Sequence, residues 1–185
     1  MGRYSYPHTI DNGGGERITF ARSVAVADGQ RLDGDNVVKP GAGPPMHVHH
    51  YLDEVFTVEE GRIGYQCLGG LPQFAGPGET VAFKAGEPHR FWNAGEGDLR
   101  CTAFMQPADN AEYILTELYA SSRRRGGVGP DLFDVAFLAR RFRSEYAVSA
   151  VPLVVQRVVF PLLVAVGQLL GKYDRYADAP EPVVR

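Results

Sequence analysis

Gly41-Ala-Gly-Pro-Pro-Met-His47-Val-His49-His-Tyr-Leu-Asp-Glu54-Val-Phe-Thr-Val-Glu-Glu-Gly61 is the stretch that decides how this chain is read. In an extended backbone successive side chains point to opposite faces, so His47 and His49 present their imidazoles on one side and His50 on the other. Glu54 opens a strictly alternating run in which Glu54, Phe56 and Val58 share one face and Val55 and Thr57 the other. A second stretch, Gly78-Glu-Thr-Val-Ala-Phe-Lys84-Ala-Gly86-Glu-Pro-His89-Arg-Phe-Trp-Asn93, adds a fourth candidate, His89. If these two stretches face each other across a barrel, three imidazoles and one carboxylate meet at one point. Such a set suits one divalent transition metal, because imidazole is of intermediate softness and carboxylate is hard. Metal–nitrogen distances of about 2.0–2.2 Å are expected, by analogy with zinc.

Working outward, residues 16 to 107 are short apolar-rich runs interrupted by Gly, Pro, Asn or Asp, among them RITFARSVAVA, DEVFTVEEG, RIGYQCLGG and DLRCTAFMQP. Short strands at regular spacing with turn residues between them predict an all-β sandwich or barrel. Gly61, Gly78 and Gly86 are expected to supply turns with positive φ. Phe56 and Phe91 are expected on the faces of Glu54 and His89, as pocket lining or as barrel packing, and Asn93 as a hydrogen-bonding rather than a ligating residue. His8, in a polar N-terminal segment, is expected in solvent.

Both histidine-bearing stretches resemble the two motifs of the cupin superfamily. The first motif is met at Gly41, His47, His49, Glu54 and Gly61. The second is met at Gly78, Gly86, His89 and Asn93, with Lys84 standing where the family usually has Pro. The resemblance is to single-domain members of the cupin_2 type, similar to quercetin dioxygenases with a helical C-terminal extension. It implies a double-stranded β-helix, or jelly-roll barrel, over residues 1–110. It also implies a metal held by His47, His49, Glu54 and His89, with Fe expected first and Mn, Ni or Zn as alternatives. By the same resemblance the activity expected is an oxygenase acting on a small aromatic or polyketide-like molecule, with Glu54 as a fourth ligand or a general base. A metal-dependent isomerase, lyase or cyclase that uses no oxygen is the alternative, as is a non-catalytic small-molecule-binding barrel.

Past Pro107 the pattern changes. Residues 111–121 carry apolar side chains at helical spacing, a basic glycine-rich loop follows, and Asp131 is placed to cap a second helix. Residues 111–185 are therefore expected to form a helical extension packed on the barrel or on a partner subunit. Residues 152–172 are apolar enough to suggest a membrane span, but Gln156, Arg157, Pro161 and Gln168 interrupt them. The stretch is expected to pack on the barrel or to form a homodimer interface, with peripheral membrane contact as the alternative. In that alternative the runs Arg123–Arg125 and Arg140, Arg141 and Arg143 would face anionic lipid. The last dozen residues are expected to fray.

The whole chain of 185 residues is 44% apolar and 22% charged, with 22 Gly and 13 Pro, which describes a turn-rich globular protein. Its net charge of −3 gives a nucleic-acid partner no bulk electrostatic support. Cys67 and Cys101 lie in strand-like runs without CxxC spacing and are expected to be buried apolar residues. Two such cysteines fit a reducing cytosol, with a disulfide or redox role as the alternative. No apolar leader is visible behind a basic start, so a cytoplasmic location is expected.

Overall fold

The computed structural model describes residues 3–185. Ten strands form the barrel. These are β1 (His8–Asp11), β2 (Glu16–Val26), β3 (Gly29–Val38), β4 (Val48–His49), β5 (Asp53–Glu60), β6 (Ile63–Cys67), β7 (Gln73–Ala75), β8 (Thr80–Phe83), β9 (His89–Asn93) and β10 (Leu99–Gln106). One sheet runs in the order β1-β2-β3-β10-β5-β8 and the other β7-β6-β9, with antiparallel pairing throughout. This is a double-stranded β-helix, the jelly-roll barrel that the motif resemblance implies.

Alternation does what the sequence predicts on β5, where Glu54, Phe56 and Val58 are buried between half-exposed neighbours. Phe56 and Val58 join Val38, Ile63, Phe83, Phe91, Leu99 and Cys101 in the apolar core between the sheets. Across the large sheet Glu54 pairs with Phe83 on one side and with Met105 on the other, and Met105 pairs with Leu32. Gly61, Gly78 and Gly86 all have positive φ, as their turns require. At Gly61 (φ +86°) a Cβ would also come within 2.7 Å of the Asp98 carbonyl, so the position excludes a side chain twice over. Both cysteines are free; Cys101 is buried and Cys67 only partly so.

From Ala111 the chain is helical: α1 (Ala111–Arg124), α2 (Leu132–Arg141), a π turn over Val155–Val159, α3 (Phe160–Leu169) and a short 3-10 turn over Asp174–Tyr176. Asp131 caps α2 as expected, its carboxylate accepting from the Phe133 N–H at 2.9 Å. Leu138, Ala136, Phe142, Tyr113 and Phe160 build a second apolar core among these helices. Inside it the buried Asp134 is held by the Ser121 hydroxyl, Arg124 and Arg175.

Two expectations need correction. His8 is not in solvent: its Nδ1 lies 2.8 Å from Glu112 Oε1, and its ring stacks on Tyr4. The C-terminal segment does not fray. Tyr176 is buried, Arg141 holds the carbonyls of Ala179 and Pro180, the Val183 N–H donates to Glu145, and Arg185 pairs with Asp109. The basic runs are partly engaged inside the protein, through Arg124 on Asp134, Arg125 on two loop carbonyls and Arg141 on the tail. Pro161 falls in the first turn of α3, directly after the π turn, where its missing N–H is least costly. Among the described residues no helix is long and apolar enough to cross a membrane. Leu153, Val154, Leu162, Leu169 and Leu170 of this run stay exposed.

Candidate metal centre

Backbone pairing brings the ligand-bearing segments together. The His47 N–H donates to the His89 carbonyl at 2.9 Å and the His89 N–H returns to the His47 carbonyl at 2.8 Å, so these two residues are fastened face to face. The Gly86 N–H then bonds the His49 carbonyl at 2.7 Å, drawing the turn before β9 against β4. On its other side β4 is paired by β11 (Tyr146–Ala147), a two-residue strand from the helical half, with Tyr146 opposite His49. Glu54 reaches the same point from β5, at the row shared with Phe83 and Met105.

The result gathers the residues singled out in the sequence. One donor atom from each of His47, His49, Glu54 and His89 lies within 4.8 Å of all the others, and Glu54 and His89 are buried. The group could hold a metal ion. His50 is not part of it, and its N–H bonds the Glu145 carbonyl instead. Asn93 is structural, donating from Nδ2 to the carbonyls of Val38 and Gly97 and accepting from the Gly95 N–H.

The hydrogen bonds behind the imidazoles set how they can act. His47 Nδ1 lies 2.9 Å from the Pro45 carbonyl and His89 Nδ1 lies 2.7 Å from the Glu87 carbonyl. A carbonyl oxygen only accepts, so the neutral form of each ring has its proton on Nδ1 and its Nε2 lone pair turned inward. His89 is further fixed by stacking flat on Phe83, with ring centroids 4.0 Å apart. Its Nε2 then faces Glu54 Oε2 at 3.2 Å. Two electron-pair donors set against each other in a dry pocket are the arrangement a shared cation satisfies, so these residues fit a divalent metal.

Titration behaviour agrees with that fit. Burial pushes the His47 imidazole below its ordinary value and takes His49 down to about 3. Both rings therefore stay neutral, as ligands must be. Burial opposes ionisation of Glu54, and the neighbouring imidazoles, His89 first, pull its carboxyl below the usual range only when they carry a proton toward it.

The centre opens on a cavity of about 460 Å³. Phe56 and Phe91 line it while also packing in the barrel core, with ring centroids 4.6 Å apart, so both expected roles are met. Sequence reasoning missed the opposite wall. Leu115, Leu118 and Tyr119 of α1, together with Tyr146 of β11, also line the cavity. Their signal is the i, i+3, i+4 spacing of 115, 118 and 119, which marks a buried helix face without saying what it covers.

Residues 36–105 match the Cupin_2 model, the cupin domain. With its barrel strands and both motifs in place, this segment forms a cupin domain. Among characterised relatives, the epoxidase atD of Aspergillus terreus is 32% identical over 78 residues, covering 42% of this chain and 24% of that protein. The oxidoreductase iacF of Pestalotiopsis fici is 33% identical over 75 residues, covering 40% of this chain and 37% of that protein. The chain thus spans between a quarter and somewhat over a third of the length of these relatives. Of solved structures, a Klebsiella pneumoniae protein with a double-stranded β-helix domain superposes with a TM-score of 0.41 at 20% identity, over 57% of this chain and 82% of that one.

Proposed function

We propose that this protein is a metal-dependent oxygenase acting on a small aromatic or polyketide-like substrate bound in the barrel cavity. The observation that carries the proposal is the convergence of three imidazoles and one carboxylate at a largely apolar cavity of about 460 Å³. The oxidoreductase and epoxidase names of its distant relatives support the reaction class. With four protein ligands, a five- or six-coordinate ion such as Fe(II) would keep one or two positions open, where it supplies Lewis acidity and redox chemistry. The chain's own part is to keep His47 and His89 in the tautomer that turns Nε2 inward. It also surrounds the substrate with Phe56, Phe91, Leu115 and Leu118, and offers Glu54 as a ligand or proton acceptor at its Oε atoms.

The test is oxygen uptake by protein reconstituted separately with Fe(II), Mn(II), Ni(II) and Zn(II), across flavonols, catechols and polyketide-like phenols. Fe(II)-dependent uptake that tracks product formation is expected. Turnover that persists without oxygen in the Zn(II) form would assign the site to isomerase, lyase or cyclase chemistry instead. Ligands that stabilise the fold and are recovered unchanged with every metal would mark a binding protein.

A further inference from the structure

Inward-facing positions of the large sheet are almost all apolar: Ile18 and Phe20 on β2, Leu32 and Val38 on β3, Phe56 and Val58 on β5. Besides Glu54, two polar residues break this face. Glu16 begins β2 and Asn36 lies near the end of β3, diagonal to each other across the strand pair, and both are more than nine-tenths buried. Leucine or valine would fill either position, so packing alone does not account for them.

Hydrogen bonding does not account for them either. Asn36 Nδ2 donates to Glu16 Oε1 at 3.2 Å, but Asn36 Oδ1 has no partner. A buried amide oxygen left unbonded is costly and asks for a donor. Both residues line the cavity that holds the metal centre, and so does Tyr119, whose hydroxyl faces the Glu16 carboxyl. Along β10 this end is four residues from the centre, since Met105 pairs with Glu54 whereas Cys101 pairs with Asn36.

We propose that Glu16, Asn36 and Tyr119 form a second binding locus in this cavity, taking a hydroxyl group of an otherwise apolar substrate; the inference rests on the cavity being the substrate site. Asn36 Oδ1 accepts the ligand's O–H, and the Glu16 carboxyl and Tyr119 hydroxyl supply the return donor. Burial raises Glu16 above its usual range, which suits a neutral partner. Among the described residues the cavity lining contains no Lys or Arg, so a carboxylate or phosphate would find no countercharge at this end.

A matched pair of probes tests this. 2-Naphthol and 2-methoxynaphthalene differ in the donor, and simple partitioning favours the less polar ether. Titrated by calorimetry into the full chain loaded with redox-silent Zn(II), 2-naphthol is expected to bind about three- to tenfold more tightly. Asn36→Leu should erase that preference while keeping ether affinity within about twofold and metal content unchanged. Glu16→Gln, which keeps a neutral donor and acceptor, should retain it. Equal binding of both probes to the native protein overturns the second locus and leaves the cavity standing as a substrate site. So does an Asn36→Leu protein that weakens both alike, or a Glu16→Gln protein that loses the hydroxyl preference. Binding of neither probe overturns the cavity reading itself, along with the second locus.

Discussion

The candidate metal centre and the wall facing it are built from different kinds of sequence. His47, His49, Glu54 and His89 come from three short segments of one barrel, each placed by strand alternation and by turns next to it. The facing wall comes from Leu115, Leu118 and Tyr119 on a helix and from Tyr146 on a two-residue strand, elements placed only by tertiary packing. Local rules thus suffice for the ligands, whereas the shape of the space the substrate would occupy depends on how a separate helical layer docks. One half fixes where chemistry can occur, and the other helps decide what fits.

The sharpest way to break this division is at the ligands. His89→Ala should remove stoichiometric metal, taking content measured by mass spectrometry from about one ion per chain to a small fraction of that. Helical content should stay intact by circular dichroism, because the helical core is separate. Unchanged metal content in this variant would overturn the site assignment. A second test strikes the other half. Leu138 is fully buried in the helical core, and Leu138→Ala should destabilise the protein by about 2–5 kcal/mol in denaturant melts while leaving metal stoichiometry intact. Loss of metal together with that stability would show the two halves to be one cooperative unit.

The smallest effect concerns pH. Burial holds His47 and His49 below their ordinary value of 6.5, His49 at about 3. Between those limits the unfolded chain binds protons that the metal-free folded protein refuses. Stability of the metal-free form should therefore fall as pH drops from 6.5 toward 3. Thermal melts of metal-free protein should shift down by on the order of 5 °C between neutral pH and about pH 5. A flat profile over that range would contradict the neutral, buried state assigned to these rings.

Much of this centre was legible beforehand because its information is short-ranged. An i, i+2 histidine pair, an alternating strand and glycines at positive φ each speak for themselves. Glu16 and Asn36 illustrate the opposite. Each is an ordinary polar residue in a strand until the β2–β3 register sets them on the inward face. The sequence does not reveal the burial of His8, because its partner Glu112 lies on α1, far along the chain. Nor does it reveal the order of the tail, whose anchors Glu145, Arg141 and Asp109 meet it only once the chain has folded back.

The pairing of β4 with β11 carries a consequence for timing. The segment bearing His49 gains an edge partner at Tyr146 and Ala147, and the neighbouring His50 amide is capped by the Glu145 carbonyl at 2.8 Å. That amide is shielded from solvent exchange only while the helical layer is docked. Its deuterium uptake is therefore a residue-level clock for undocking. If exchange there and metal release to a chelator share one rate constant, the ion leaves through the seam between barrel and helices, and its residence time is set by a strand two residues long.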